Sequence, residues 1–113
     1  MFVRPIPRFL LYDYIDVFVP VEGDFGGMYS ESPKRIDHVR FDPSADLSRT
    51  EYVLTDGDKG IIYIDAKNSD GAFEVPVGSL IAIDGASQKL SAVEVVPCRG
   101  ALGQLHHWEL RVR

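Results

Sequence analysis

The chain has 113 residues, 45% of them hydrophobic and 26% charged, the profile of an ordinary globular protein rather than of a disordered or membrane-embedded one. Seventeen acids against twelve basic residues leave a formal net charge of -5; with no run of positive groups, a grip on nucleic acid through clustered Lys and Arg is argued against. The single cysteine, Cys98, excludes an intrachain disulfide and a zinc cluster built on cysteines, and it suits a reducing compartment.

A chain of this length buries roughly 65% of its unfolded surface unaided, so one domain spanning 1–113 with one modest core is expected. The first ten residues, MFVRPIPRFL, form an N-terminal arm whose apolar patch is interrupted by prolines well short of a signal-peptide core or a spanning helix. Synthesis in the cytoplasm is the matching expectation. Residues 11–19, LYDYIDVFV, combine aromatic and β-branched side chains with aspartates at every third position, which denies a helix its continuous apolar stripe and predicts a strand closed by Pro20. The Gly-, Ser- and Pro-rich stretch that follows predicts a long loop with a short strand around Met28 and Tyr29.

A second strand is expected over 36–42, IDHVRFD, ended by Pro43. Beyond a single helical turn allowed around 43–47, TEYVLT at 50–55 and IIYIDAK at 61–67 are strands separated by an Asp-Gly turn, and they are candidates to pair as a hairpin. SLIAID at 79–84 and KLSAVEVV at 89–96 come next, each after a turn signal. A connection from Pro97 to Gly103 then leads into the last strand, QLHHWELRV at 104–112. The evenly spaced Asp-Gly pairs at Gly57, Gly71 and Gly85 reflect regular strand and turn lengths, because the intervening sequences are unlike one another. About six to seven short, mostly antiparallel strands with long loops predict an all-β fold, a small barrel or compact sandwich, and closing the sheet would remove the exposed edges of Val- and Ile-rich strands.

Few residues announce chemistry. Strand alternation places Gln104, His106, Trp108, Leu110 and Val112 on one face and Leu105, His107, Glu109, Arg111 and Arg113 on the other, so the two adjacent histidines are expected to diverge rather than to share a metal. His106 is expected at the core margin with a backbone hydrogen bond, His107 toward solvent or a partner, and Trp108 as a core or interface anchor. Asp65, Asn68 and Asp70 do not line up with a calcium-loop pattern. There is no nucleophile elbow, no phosphate loop and no histidine–carboxylate pair whose neighbours announce a pocket, and Cys98 reads as a small buried or half-buried apolar group. No catalytic, cofactor or metal site is therefore assigned. The alternative of another class is a small barrel enzyme or ligand-binding protein using His106, His107 and His38, with a metal.

The segment 43–60 is long for a connection in so small a domain and carries Asp46, Glu51, Asp56 and Asp58 against Arg49 and Lys59. It is either a solvated hairpin with a polar outer face or a loop that contacts a partner or gates a channel.

The order of the pieces carries a resemblance over nearly the whole chain. Ile6-Pro7 with Leu10-Leu11, then Val39-Arg40-Phe41-Asp42-Pro43-Ser44, then Ile64-Asp65 with Asn68-Ser69, and finally Leu105-His106-His107-Trp108-Glu109-Leu110 resemble the minor capsid protein family of tailed phages and prophages, which is similar to small head-closure or head–tail connector proteins. The resemblance implies a non-enzymatic virion subunit without cofactor: a β-barrel assembling as a homo-oligomeric ring in the neck, beneath the portal and adaptor and above the tail or its terminator. It implies that DNA passes through the channel without tight binding, retained by a loop for which 43–60 is the positional match, and that no membrane is involved. A neighbouring tail-completion or joining ring is the alternative within the same class. An acidic surface suits a channel that must not grip phosphate, and a head-to-tail ring requires two different lateral patches, for which the arm aromatics Phe2, Phe9, Tyr12 and Tyr14 are candidate contacts.

Overall fold

A computed structural model describes residues 4–21, 28–43 and 59–113. The strands are β1 (Asp13–Phe18), β2 (Pro20–Val21), β3 (Met28–Tyr29), β4 (Lys34–Pro43), β5 (Gly60–Asp65), β6 (Leu80–Ile83), β7 (Leu90–Arg99) and β8 (Leu105–Val112), with short 3-10 turns at Arg8–Leu10 and Ala101–Gly103. Six of them close a barrel in the order β1-β4-β5-β8-β7-β6, and every pairing, including β6 back to β1, is antiparallel. β2 and β3 pair separately as a two-stranded sheet. The expected all-β barrel is the observed one.

The core follows from the two-residue period of the strands. Ile15 and Val17 of β1, Ile62 and Ile64 of β5, Ile81 of β6, Ala92 of β7, and Trp108, Leu110 and Val112 of β8 point inward and are buried. Outward-facing residues of β1 and β4 carry charge instead: Arg35 forks onto Asp16 at 3.0 and 3.2 Å and lies over the Tyr14 ring, and Asp16 holds its guanidinium pKa above the ordinary value. Arg40 likewise binds Asp42 at 2.8 Å.

β4 breaks the period. Ile36 and Val39 are three residues apart, yet both are fully buried in the core. The register against β1 shifts between Asp13↔Val39 and Tyr14↔Asp37, and the residue left over, His38, has a left-handed φ of 59°. A bulge absorbs the extra residue and returns Val39 to the inner face.

Two sequence expectations change, and a third falls outside the described residues. Both edges of β5 are taken, by β4 and by β8, so along 60–65 the strand has no free edge for a hairpin with 50–55, a segment outside the described residues. β7 does not stop at Pro97 but runs to Arg99. Proline lacks a donor, and it is tolerated here because β6 pairs with β7 only at Leu90 and Ser91, leaving the far edge of β7 unladdered where Pro97 lies. The turn allowed at 43–47 lies, from residue 44 on, outside the described residues. The Asp-Gly turn at Asp84-Gly85, by contrast, has the expected two positive φ values, 51° and 77°, closed by Ala86 N–H donating to the Ile83 carbonyl at 3.0 Å.

Asp13 sits where β1 passes between β4 and β6. Burial, then a hydrogen bond with Asp84, raises its carboxyl pKa above 3.8, while the Phe41 N–H that it accepts at 2.9 Å pulls the other way. An acid whose pKa is raised by folding binds its proton more tightly in the folded state; its stabilising contribution is complete below the unfolded value and is lost as pH rises through the folded one. Asp13→Asn keeps an acceptor for Phe41 and removes the carboxylate repulsion. Urea midpoints should therefore favour the variant over the parent at about pH 7, with the difference shrinking as the pH falls toward 4.

Candidate functional site

The residues that sequence reasoning flagged at the two ends of the chain meet at one end of the β5–β8 pair. Asp65, the last residue of β5, has no exposed surface. Its Oδ1 accepts the Ile6 N–H at 2.8 Å, and its Oδ2 accepts the N–H groups of Lys67 at 2.9 Å and Asn68 at 2.7 Å. Asn68 Nδ2 returns a hydrogen bond to the Ile6 carbonyl at 2.8 Å, and the Asp65 N–H donates to Ser69 Oγ at 2.9 Å. Ser69 Oγ in turn donates to the carbonyl of His38, the bulge residue of β4. One buried aspartate thus closes the turn after β5 and pins the N-terminal arm through its carboxylate, and braces the β4 bulge through its N–H and Ser69.

Past that anchor the arm makes one 3-10 turn. Arg8 reaches Asp70 at 2.7 Å, the carboxylate that also binds His38 Nδ1 at 2.9 Å. Leu11 is buried, whereas Phe9 and Tyr12 on either side of it are 79% and 68% exposed. Together with Arg8, Tyr14, His38 and Asp70 they line an open groove of 410 Å³. The arm aromatics therefore divide: Phe9 and Tyr12 are surface groups held on a fixed backbone, Tyr14 is half-buried, and Phe2 lies outside the described residues.

The histidine pair departs from the parity argument. Cys98 pairs with His107 and Arg99 with Leu105, so His106 is an extra residue without a partner position on β7. This second bulge cancels the alternation: the His106 and His107 rings meet edge to face with centroids 5.0 Å apart and Nδ1 atoms 2.7 Å apart. The bulge also turns His106 Nε2 to the Arg4 carbonyl at 2.6 Å, a second tie to the arm. His107 lies on the outer barrel face with Cys98 and Glu109. Cys98 Sγ is 2.7 Å from Glu109 Oε2, and His107 Nε2 is 3.3 Å from the same oxygen. His38 does not join them; its side-chain partner is Asp70. Trp108 faces the core. Burial, followed by the hydrogen bond with Glu109, pushes the Cys98 thiol up to about 12, so its sulfur is protonated near neutrality. Neither bulge was visible in the sequence, since nothing in His106-His107 or Asp37-His38 departs from ordinary strand composition.

Of the residues flagged in 43–60, Asp46, Arg49, Glu51, Asp56 and Asp58 lie outside the described residues. Lys59 is exposed and its N–H donates to the Val112 carbonyl at 2.8 Å. The motif residues fall elsewhere: Arg40 and Asp42 form an ion pair on β4, Pro43 ends that strand, and Asp65, Asn68 and Ser69 make the buried anchor.

What these features define is a small closed β-barrel that carries a clamped N-terminal arm and displays aromatic side chains on it. The chain belongs to the minor capsid protein family, whose model matches residues 7–112. It is accordingly a phage structural protein and a component of the virion. No curated protein and no solved structure gives a significant match.

Replacing Asp65 with Ala leaves three buried or half-buried N–H groups without their acceptor. It should cost on the order of 3 kcal/mol or more in urea denaturation, with faster proteolytic cleavage of the arm near Ile6. At Cys98, a thiol three units above the ordinary 9.0 holds roughly a thousandth of the usual thiolate at a given pH. Alkylation by iodoacetamide should be correspondingly slow, and Glu109→Gln should speed it about tenfold or more by removing the carboxylate that holds the thiol proton.

Proposed function

We propose that this minor capsid protein is a subunit of the virion neck: a head-closure ring that joins the portal–adaptor complex to the tail and helps retain packaged DNA. The observation that carries the reading is the pair Phe9 and Tyr12, exposed on an arm whose backbone is fixed by Asp65, Asn68 and His106. Exposed aromatics cost little conformational entropy on docking when their backbone is already ordered, and aromatic anchors dominate protein interfaces. The closed barrel leaves little strand edge for pairing, and the open stretch of β7 carries Pro97, which favours binding of its neighbours through side chains and arms of this kind.

Charge supports the same reading. A net charge of -5 disfavours tight phosphate contact, which suits a ring through which DNA slides. The same reading takes the loop 43–60 as the element that narrows the channel, with Asp46, Arg49, Glu51, Asp56, Asp58 and Lys59 as its candidate groups. A joining ring next along the neck would use the same arm with tail proteins on both sides.

Particles assembled without the protein should package DNA and then lose it, or fail to acquire tails; DNA-filled, tailed particles in normal yield would overturn the proposal. Phe9→Ser combined with Tyr12→Ser should leave the circular dichroism spectrum intact and lower the yield of infectious particles about tenfold or more, since each buried aromatic anchor is worth about 2 kcal/mol. Imaging of the neck at side-chain resolution distinguishes the head-closure position from the joining position.

A further inference from the structure

The hydrogen-bond chain running from the arm to the outer face of β8 fixes the tautomers of both histidines. The Arg4 carbonyl can only accept, so His106 Nε2 donates to it across 2.6 Å. A neutral His106 then presents a lone pair at Nδ1, and His107 Nδ1 must donate across the 2.7 Å that separates the rings. The remaining nitrogen, His107 Nε2, is left with its lone pair directed at Glu109 Oε2, 3.3 Å away. That oxygen is also an acceptor, from Cys98 Sγ at 2.7 Å. With both rings neutral, two lone pairs face each other across this distance, a gap that either a proton on Nε2 or a metal ion bridges.

We propose that Cys98, His107 and Glu109 form a zinc-binding site. Their donor atoms, Sγ, Nε2 and a carboxylate oxygen, all lie within 4.8 Å of one another. A tetrahedral ion with ordinary Zn–S, Zn–N and Zn–O bonds holds its ligands about 3.5 Å apart, which small rotamer changes of Cys98 and Glu109 supply. The donor set selects the metal: thiolate with imidazole and a single carboxylate suits Zn²⁺, whereas Mg²⁺ and Ca²⁺ demand six or more oxygens.

Two further features match a metal centre. Ligating histidines donate their second ring nitrogen to a fixed acceptor, and His106 performs that service for His107, itself held by the Arg4 carbonyl. The ligands also come from paired strands, Cys98 lying directly across from His107. The backbone register alone therefore holds two of the three together. The side chains of His107 and Glu109 are 19% and 10% exposed, which leaves the fourth position to a water.

On binding, the Cys98 S–H bond breaks, its proton passes to solvent, and the sulfur pair forms the Zn–S bond; no electron transfer is involved. The ion would bridge β7 and β8 at the bulge and stiffen the histidine relay that holds the arm. The inference does not depend on where in the virion the subunit sits.

The test uses full-length protein without a histidine tag, purified with zinc present, then dialysed and analysed for metal. One zinc per chain is expected, and exchange for Co²⁺ should produce a thiolate-to-cobalt charge-transfer band in the near ultraviolet. Cys98→Ser and His107→Gln should each weaken binding about 100-fold or more, and His106→Gln about 10- to 100-fold. His38→Gln, which alters a histidine outside the cluster, should leave affinity unchanged. Added zinc should raise the melting temperature of the parent protein and not that of Cys98→Ser. Substoichiometric metal, a Co²⁺ spectrum without the charge-transfer band, or binding that survives both Cys98→Ser and His107→Gln would overturn the proposal. Because the cobalt spectrum is read on the parent protein, it decides the matter even if a variant fails to fold.

Discussion

Everything at the arm-bearing end of this barrel depends on one buried carboxylate. Asp65 satisfies the N–H groups of Ile6, Lys67 and Asn68 at once, and its own N–H is taken by Ser69. A carboxylate without exposed surface is tolerated only when its oxygens are so occupied. Since the donors come from the turn after β5 and from an arm 59 residues earlier in the chain, satisfying the charge forces the two to meet. The groove beside Phe9 and Tyr12 and the relay through His106 both exist because the arm is held there.

The barrel's second constraint is closure. Six strands close a barrel only if local register errors are absorbed, and here β4, β7 and β8 each absorb one, at His38, Val93 and His106. At two of the three the extra residue is a histidine, and both histidines are tied to other parts of the fold: His38 to Asp70, His106 to the Arg4 carbonyl. Bulges re-aim side chains, and in this protein they direct polar rings to the end of the barrel where the arm lies. The structural scaffold and the chemically distinctive groups are therefore the same residues.

For a virion protein this arrangement has a clear logic. A closed barrel whose open stretch of β7 carries Pro97 resists unwanted strand exchange at the high local concentrations of an assembling particle, while an arm tied down by hydrogen bonds presents its aromatic groups on an already ordered backbone. On the proposed reading, recognition falls to side chains, which are specific, rather than to strand edges, which are promiscuous.

The fold class was legible in the sequence because the signals that specify it are local: alternating β-branched residues over 11–19 and 61–67, Asp-Gly at 84–85, proline at 20. Motif order was legible too, and it led to the family. The bulges were not, because a bulge is set by how many residues the partner strand offers, a quantity absent from either strand's own sequence. For that reason the parity argument separated His106 from His107, and nothing drew Cys98 toward Glu109, 11 residues away. The arm's docking was equally hidden, since Asp65 looks like any turn aspartate until Ile6 is seen above it. By itself the sequence determined strands, turns, an apolar interior and an acidic surface, all consequences of short-range propensity and composition. Only the tertiary structure decided register, and through register which polar groups share a face, because that choice is made by the closing of the barrel as a whole.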